Sequence, residues 1–216
     1  MDVPNVRGED REKTLPREAY FSDGYFELHQ LFSLSHQINE IHKLRPQSIL
    51  EIGVGNGFTS SFLRRAGYRV TTADINPDLE PDICAPLDQV GSFIGEEKFD
   101  LVVCCEVLEH MPLNEFIESL DQLRALGQRL FLTLPNYKAT IGASGLFRIP
   151  KIGAKSFDLT FDIPRKKKLD KEHFWEVGSQ RETEIKSIAF ELKARYKSVK
   201  IKRITLNPYH IAFICA

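Results

Sequence analysis

Cysteine is scarce in this chain of 216 residues, and its placement excludes most uses of paired cysteines. The four cysteines are Cys84, Cys104, Cys105 and Cys215. Cys104 and Cys105 are adjacent within an apolar segment, and neighbouring side chains of a strand point to opposite faces of its sheet. They therefore cannot form the C-x-x-C pair of a zinc or redox site. We expect reduced, buried thiols in a cytoplasmic protein.

Long apolar runs and an excess of one charge are also missing. No apolar run approaches the roughly 20 residues that a membrane-spanning helix needs. The polar N-terminal stretch MDVPNVRGEDREK lacks the apolar core of a secretory signal. Lys and Arg number 29, Asp and Glu number 30, and the net charge is −1. Apart from local basic runs such as RKKK at 165–168, this balance predicts no overall attraction to nucleic acid or anionic lipid.

The apolar segments of the chain alternate between strand-like and helix-like patterns, and this order predicts an α/β fold. Strands are predicted at 48–52, 69–73, 82–84, 99–105, 129–134, 198–204 and 210–214. Helices are predicted at 25–44, 59–66, 113–126 and 183–195. Strands that alternate with helices form a parallel sheet with helices on both faces. A hydrophobic content of 42% is enough for a full core within one domain.

Two parts of the chain stand outside this alternation. Residues 1–20 are charged and irregular, so we expect a loose leader before the first helix. Residues 136–178 contain several Gly and Pro residues and no clear period, and they are too many for an ordinary connection. We therefore divide the chain into a leader and helix at 1–44 and one domain at 45–216, with a functional insertion at 136–178.

A glycine-rich turn follows the first predicted strand. The stretch EIGVGNG holds Gly53, Gly55 and Gly57, which allow a sharp turn and a close approach of a ligand to the backbone. Its G-x-G-x-G spacing differs from the dinucleotide pattern G-x-G-x-x-G, and no G-K-[ST] follows for a triphosphate. Glu51 would repel a pyrophosphate and attract a cationic amine. A tight turn that binds no ligand is the alternative.

Asp74 ends the second predicted strand, about 20 residues beyond the glycines, where an acid can bind both hydroxyls of a ribose. The alternative is an aspartate that only caps a turn. Taken together, a ribose-binding acid and a glycine turn without phosphate-binding spacing favour a nucleoside ligand that carries no phosphate.

Three stretches, ILEIGVGNG, TTADINP and FDLVVCCEVLEHMP, occur in an order that resembles the class I S-adenosylmethionine-dependent methyltransferases of the ubiquinone-methyltransferase-like group. The resemblance is dense over 45–135. It implies a Rossmann-like sheet of seven mostly parallel strands, with helices on both faces and an antiparallel last strand. It also implies S-adenosylmethionine as the cofactor.

The resemblance assigns particular residues to the cofactor. They are Glu51, Gly53, Gly55, Gly57, Asp74, Ile75, Leu87, Cys105 and Glu106. The glycine turn and Glu51 would border the methionine part, Asp74 the ribose, and Ile75 the adenine. The family often has an acid near the adenine amino group, whereas this chain has Leu87 near that position. We therefore expect backbone groups and apolar packing to hold the adenine there.

The stretch CCEVLEHM places Glu106, Glu109 and His110 directly after the fourth strand. If Glu106 begins a helical turn, these side chains share one face and could bind a divalent cation. The alternative is structural, with Glu106 as a cap and His110 packed below the sheet. The resemblance implies an ion of the Mg²⁺ type in some relatives. His173 is a candidate further ligand, and Phe174 and Trp175 beside it are candidate walls of a substrate pocket.

The function predicted from these motifs is the transfer of a methyl group from S-adenosylmethionine to a small-molecule hydroxyl, with or without a metal ion. Glu109, His110 and His173 are the candidate catalytic residues. The alternatives are an RNA methyltransferase and a regulatory protein that binds S-adenosylmethionine without catalysis. The near-neutral net charge favours a small-molecule acceptor over nucleic acid.

Overall fold

A seven-stranded sheet organises the part of the chain that the computed structural model describes, namely residues 8–96, 98–151, 153–166, 168–204 and 206–216. The strands are β1 (Ser48–Ile52), β2 (Arg69–Asp74), β3 (Ile83–Cys84), β4 (Phe99–Cys105), β5 (Gly127–Pro135), β6 (Lys138–Ile149), β7 (Gly153–Lys166), β8 (Val199–Arg203) and β9 (His210–Cys215). The order across the sheet is β3-β2-β1-β4-β5-β9-β8. Strands β1 to β5 are parallel, and β9 is antiparallel to both of its neighbours. The predicted fold class is confirmed.

Helices cover both faces of this sheet. Within the described residues they are α1 (Glu9–Glu12), α2 (Asp23–Phe26), α3 (Leu28–Leu44), α4 (Phe58–Arg65), α5 (Leu87–Ile94), α6 (Leu113–Leu126) and α7 (Ile185–Arg195). Leu50 and Val102 belong to the apolar core formed with α5, α6 and α7. Ile49 and Leu101, whose side chains point to the opposite face, belong to the core formed with α3 and α4. Among the described residues, no helix combines the length and apolar character needed to cross a membrane.

The N-terminal part differs from its prediction. One continuous helix was expected at 25–44, but the backbone of Glu27 is extended, with ψ of 144°, and separates α2 from α3. The expected loose leader holds α1 and a 3-10 helix at Arg17–Phe21. Residues 1–7 of that leader lie outside the described residues.

The register of the parallel strands brings the predicted motifs to one edge of the sheet. Ile52 of β1 pairs with Ala73 of β2 on one side and with Cys104 of β4 on the other. The glycine turn, Asp74 and Glu106 all follow these paired positions, so they meet at the carboxyl ends of the strands. This edge is where open α/β sheets bind their ligands.

Residues 136–178 contain a regular element that the sequence analysis did not predict. Strands β6 and β7 form a two-stranded antiparallel sheet, paired from Ala139 and Ile163 out to Ile149 and Gly153. In β6, Gly142 and Gly145 interrupt the alternation of apolar and polar residues, so the two-residue period of a strand is hard to recognise in the sequence. The backbone then returns to the main sheet, where Asn136 forms a bridge with Val177.

Candidate active site

A cavity of about 680 Å³ opens at the carboxyl edge of the sheet. The glycine turn, the ends of β2 and β4, the start of α5 and the segment after β7 all contribute to its wall. The predicted site residues among its lining are Glu51, Gly53, Gly55, Asp74, Ile75, Leu87, Cys105, Glu106, Glu109, His110 and His173. Gly57 precedes α4 and is not part of the described lining. The structure therefore brings all but one of the predicted positions together.

The turn after β1 requires glycine at its first position. Gly53 has φ of +83°, in the left-handed region that residues with a side chain rarely adopt. A Cβ atom there would lie 2.4 Å from Cγ2 of Val107. The amide of Gly53 donates a hydrogen bond of 2.9 Å to the carbonyl oxygen of Ala73. The turn is thus held against β2 on one side and against the segment after β4 on the other.

The carboxylate of Asp74 is fixed by two backbone amides. Its Oδ2 accepts a hydrogen bond of 2.7 Å from the amide of Val54, and its Oδ1 accepts one of 2.9 Å from the amide of Asn76. Each carboxylate oxygen can accept more than one hydrogen bond. Asp74 therefore presents an oriented pair of acceptors to the cavity, an arrangement suited to two neighbouring hydroxyls.

Glu51 is buried beneath the glycine turn, and its Oε2 has no hydrogen-bond partner among the described residues. Burial raises the pKa of Glu51 from its usual 4.5 to about 7. A buried acid of this kind favours a cationic ligand, because a nearby positive charge stabilises the carboxylate form.

The side of the cavity assigned to adenine is apolar. Ile75, Ala85, Leu87 and Val90 line it, and Asp88, the nearest acid in the sequence, is exposed and lies outside the described lining. This arrangement suits packing against a flat aromatic ring.

The turn after β4 does not have the predicted helical form at Glu106. Glu106 has φ of +55°, and a 3-10 helix begins only at Leu108 and ends at His110. The expectation that Glu106 begins a helical turn shared with Glu109 and His110 is therefore wrong. The Oε2 of Glu106 instead lies 3.4 Å from Nε2 of His210.

Glu109, His110 and His173 form a cluster whose potential ligand atoms all lie within 4.8 Å of one another. Glu106 is not part of this cluster. Of the three predicted metal ligands, the described residues bring together only Glu109 and His110, and the further candidate His173 lies beside them. The rings of His110 and His173 meet edge to face at 5.0 Å between centroids. The spacing of residues in the sequence does not indicate that His173 joins this cluster, because the position of His173 depends on how the chain returns to the main sheet after β7.

Burial governs the ionisation of this cluster. Glu109 is 0% exposed, and neither carboxylate oxygen has a hydrogen-bond partner among the described residues. Burial, followed by the charge of Glu106, raises the pKa of Glu109 well above its usual value. Burial lowers the pKa of His110 to about 4, against the opposing effect of the Glu12 carboxylate. His110 is therefore a neutral imidazole at neutral pH.

A buried carboxylate holds His173 in place. The Nδ1 of His173 lies 3.1 Å from Oε1 of Glu176, which is itself buried. The same oxygen accepts hydrogen bonds from the amide of Asp170 and the hydroxyl of Tyr209, each of 3.2 Å. A carboxylate at one ring nitrogen of a histidine fixes the ring and leaves the other nitrogen as the acceptor.

Trp175 and Phe174 do not wall the cavity, so this expectation is wrong. Trp175 is 1% exposed and packs edge to face on Phe116, and its Nε1 donates a hydrogen bond of 3.1 Å to the carbonyl oxygen of Met111. Neither aromatic residue belongs to the described lining. Trp175 instead anchors the segment that carries His173 to the core.

Several lining residues come from the N-terminal segment and were not predicted from the sequence. They include Arg11, Glu12, Leu15, Tyr20 and Tyr25. The Oε1 of Glu12 lies 3.5 Å from Nδ1 of His110, and its Oε2 accepts a hydrogen bond of 3.1 Å from the hydroxyl of Tyr20. Asn76 donates a hydrogen bond of 2.7 Å to the carbonyl oxygen of Leu15. The only hint in the sequence is the pair of tyrosines in an otherwise charged stretch.

Comparisons with known proteins agree with the observed fold. A family described as methyltransferase domain matches residues 25–172. Ubiquinone biosynthesis O-methyltransferase of Xylella fastidiosa (strain M23) is 25% identical in an alignment that covers 68% of this chain and 71% of that protein. This chain belongs to the methyltransferase domain family, and it is a class I S-adenosylmethionine-dependent methyltransferase.

Two solved structures show the same fold. Magnesium protoporphyrin IX methyltransferase of Synechocystis PCC 6803, with bound S-adenosylmethionine, matches with a TM-score of 0.57 and 17% identity over 96% of this chain and 95% of that one. The 1,6-didemethyltoxoflavin-N1-methyltransferase of Burkholderia thailandensis matches with a TM-score of 0.57 and 16% identity over 100% of this chain and 92% of that one. These two structures support the fold, and the family match over residues 25–172 confirms the predicted family and enzyme class.

The first prediction concerns Asp74. Replacement Asp74→Ala removes the oriented acceptors, so we expect S-adenosylmethionine affinity to fall by about tenfold to about a hundredfold, the loss typical of hydrogen bonds to a charged group. Isothermal titration calorimetry measures the affinity. Asp78→Ala, in the exposed turn that follows, is the control and should bind normally. Normal binding by a folded Asp74→Ala protein would show that the ribose assignment is wrong.

The second prediction concerns the pH dependence set by Glu51. Burial raises the pKa of Glu51 to about 7, so folding of the empty protein favours the neutral form of this side chain. This contribution to stability is complete below about pH 4.5 and is lost as the pH rises through about 7. A bound ammonium group favours the carboxylate, so we expect cofactor affinity to rise over the same range. Below the pKa the rise approaches about tenfold per pH unit.

Glu51→Gln is the matched variant for this test, because it keeps the shape of the side chain and removes its charge. Its S-adenosylmethionine affinity should be lower at neutral pH and nearly independent of pH between about 5.5 and about 7.5. Calorimetry across that range checks both proteins. The same slope in both would assign the pH dependence to another group.

Proposed function

We propose that this enzyme transfers the methyl group of S-adenosylmethionine to an oxygen of a small-molecule hydroxyl. The observation that supports this most directly is the cluster of Glu109, His110 and His173 in the same cavity as the glycine turn and Asp74. One end of the cavity suits the cofactor, and the other holds groups that can bind and activate an acceptor.

The reaction needs little covalent chemistry from the protein. The methyl group moves in line from the sulfonium sulfur to the acceptor oxygen, the sulfur–methyl bond breaks, and S-adenosylhomocysteine is released. The acceptor hydroxyl loses its proton, so its oxygen must be positioned and a base must be at hand. The raised pKa of Glu109 makes its carboxylate form a stronger base for that proton than an exposed glutamate would be. His173, held through Nδ1 by Glu176, offers Nε2 as a second acceptor.

The cluster also fits a divalent cation. Its donors are a buried carboxylate without a hydrogen-bond partner among the described residues and two imidazoles, one of which, His110, is neutral at pH 7. Glu109, His110 and His173 would hold the ion, with Mg²⁺ as the predicted species; the carboxylate also suits Mn²⁺, and the two imidazoles suit Zn²⁺. Such an ion would supply Lewis acidity that lowers the pKa of the acceptor hydroxyl.

Oxygen as the acceptor atom is supported by the relative from Xylella fastidiosa, which is named an O-methyltransferase of ubiquinone biosynthesis. The net charge of −1 gives no general attraction to nucleic acid. Both observations favour a small-molecule acceptor over RNA.

The third prediction tests the role of Glu109. Glu109→Gln should leave cofactor affinity within about twofold, because the residue lies beyond the cofactor end, and should lower turnover by about a hundredfold or more, the range of acid–base catalysis. The assay is transfer of a labelled methyl group to cell-extract components, with calorimetry for cofactor binding. Glu115→Gln, exposed on α6, is the control. Unchanged turnover in Glu109→Gln would overturn the assignment.

The fourth prediction tests the metal ion. If the cluster holds an ion that binds the acceptor, a chelator that removes the ion should abolish methyl transfer. Addition of Mg²⁺ or Mn²⁺ should then restore it. His173→Ala should lose metal binding measured by calorimetry while it retains cofactor binding. Full activity after chelation would exclude the metal and leave acceptor activation to Glu109 and the histidines alone.

A further inference from the structure

The hairpin of β6 and β7 has two chemically different faces. Residues directly opposite in an antiparallel pair share a face, and successive residues alternate between faces. From the observed register, one face carries Ala139, Ile141, Ala143, Phe147, Ile149, Phe157, Leu159, Phe161 and Ile163, together with Lys155. We call this set the apolar face. The opposite face carries Thr140, Ser144, Arg148, Thr160 and Asp162, and Leu146 is its large apolar residue.

The apolar face is exposed. Ile141 is 62% exposed, Phe161, its cross-strand partner, is 64% exposed, and Leu159 is 55% exposed. The ring of Phe157 lies over Gly145, where a Cβ would be 2.4 Å from it, so the aromatic row is continuous across the glycine. A two-stranded hairpin is marginal in water unless its apolar face is covered. A continuous exposed patch of this kind marks an interaction surface.

The polar face is tied to the body of the enzyme. Asp162 accepts two hydrogen bonds, of 2.9 and 2.8 Å, from Nη2 of Arg203 on β8. At the base of the hairpin, Nζ of Lys138 lies 3.2 Å from Oε2 of Glu184. These contacts hold the hairpin from its polar side and leave the apolar face outward.

Charge identifies the occupant. The stretch 138–157 contains Lys138, Arg148, Lys151 and Lys155 and no Asp or Glu. Arg148, Lys151 and Lys155 are exposed at or next to the tip of the hairpin. Lys155 lies on the apolar face itself, so packing against the apolar face of a second copy would bury its charge. An anionic surface with an apolar interior satisfies both the cations and the apolar side chains.

We propose that the hairpin of β6 and β7 binds the surface of an anionic lipid bilayer. Its apolar face enters the boundary between headgroups and acyl chains, and the tip cations contact the headgroups, as in interfacial amphipathic elements. The polar face, with its links to Arg203, remains in water. The site of methyl transfer lies at the other end, because Asp170 and His173, a few residues beyond β7, line the cavity. This inference does not rest on the identity of the acceptor.

Vesicle co-sedimentation of the full chain tests the proposal. We expect binding to phosphatidylcholine vesicles that contain phosphatidylglycerol, and much weaker binding to phosphatidylcholine alone. Raising the salt from about 0.1 M to about 1 M shortens the screening length from about 10 to about 3 Å and should weaken the binding. Equal binding to both vesicles, without salt dependence, would overturn the anionic specificity.

Matched variants separate the two faces. The double substitution Ile141→Ser and Phe161→Ser should weaken vesicle binding by at least about tenfold, because it removes two large apolar side chains from the face that enters the bilayer. Leu146→Ser, at a residue that is 74% exposed on the opposite face, is the control and should bind like the wild type. Lys151→Gln with Lys155→Gln should weaken binding to anionic vesicles by about fivefold per charge. S-adenosylmethionine binding should be unchanged in all of them and shows that each variant is folded.

Two outcomes would overturn the proposal. One is the absence of vesicle binding by the wild type, or equal loss from variants of both faces. The other is a concentration-dependent dimer in analytical ultracentrifugation, abolished by Ile141→Ser with Phe161→Ser, without any vesicle binding. The second outcome would assign the apolar face to another copy of the chain.

Discussion

The missing Cβ of Gly53 is the constraint on which the arrangement of the site depends. The methyl group of Val107 occupies the space that a side chain at position 53 would fill. This contact joins the turn after β1 to the turn after β4, and the bond from Gly53 to Ala73 joins it to β2. The ends of three strands are therefore packed as one unit. The region assigned to the cofactor and the proposed acceptor region therefore share a wall, and the absence of a Cβ at position 53 is what allows the two turns to meet.

A second feature is the concentration of acids around the cavity. Glu12, Glu51, Asp74, Glu106 and Glu109 all line it, whereas Arg11 is the only Lys or Arg in the described lining. Burial raises the pKa of Glu51, Asp74 and Glu109, so each carboxylate is held at a cost in free energy. A structure selected for stability alone would not retain such groups. We expect the ammonium group of S-adenosylmethionine to offset this cost at Glu51 when the cofactor binds.

The sequence predicted what local pattern determines and missed what depends on distant contacts. Strand β1 was predicted with its observed bounds because Ile49, Leu50 and Ile52 form a short apolar segment between Pro46 and the glycine turn. Helix α5 was not predicted, because it has only eight residues and one of its interior positions is Gly91, a residue that disfavours a helix. The contact of Glu12 with His110 and that of His210 with Glu106 are set by tertiary packing. No spacing in the sequence could indicate them.

The turn after β4 shows how the candidate site departs from a simple motif. Read as a helical pattern, E-x-x-E-H would place three ligands on one face. The left-handed backbone at Glu106 turns that side chain toward His210, whose Nδ1 lies 3.0 Å from Oγ of Ser33 on α3. A strained conformation at a residue with a side chain persists only where surrounding contacts hold it, and such positions concentrate at functional sites. The motif therefore contributes to two separate groups of side chains. Glu106 is linked through His210 to β9 and α3, whereas Glu109 and His110 form a cluster with His173 from beyond the hairpin.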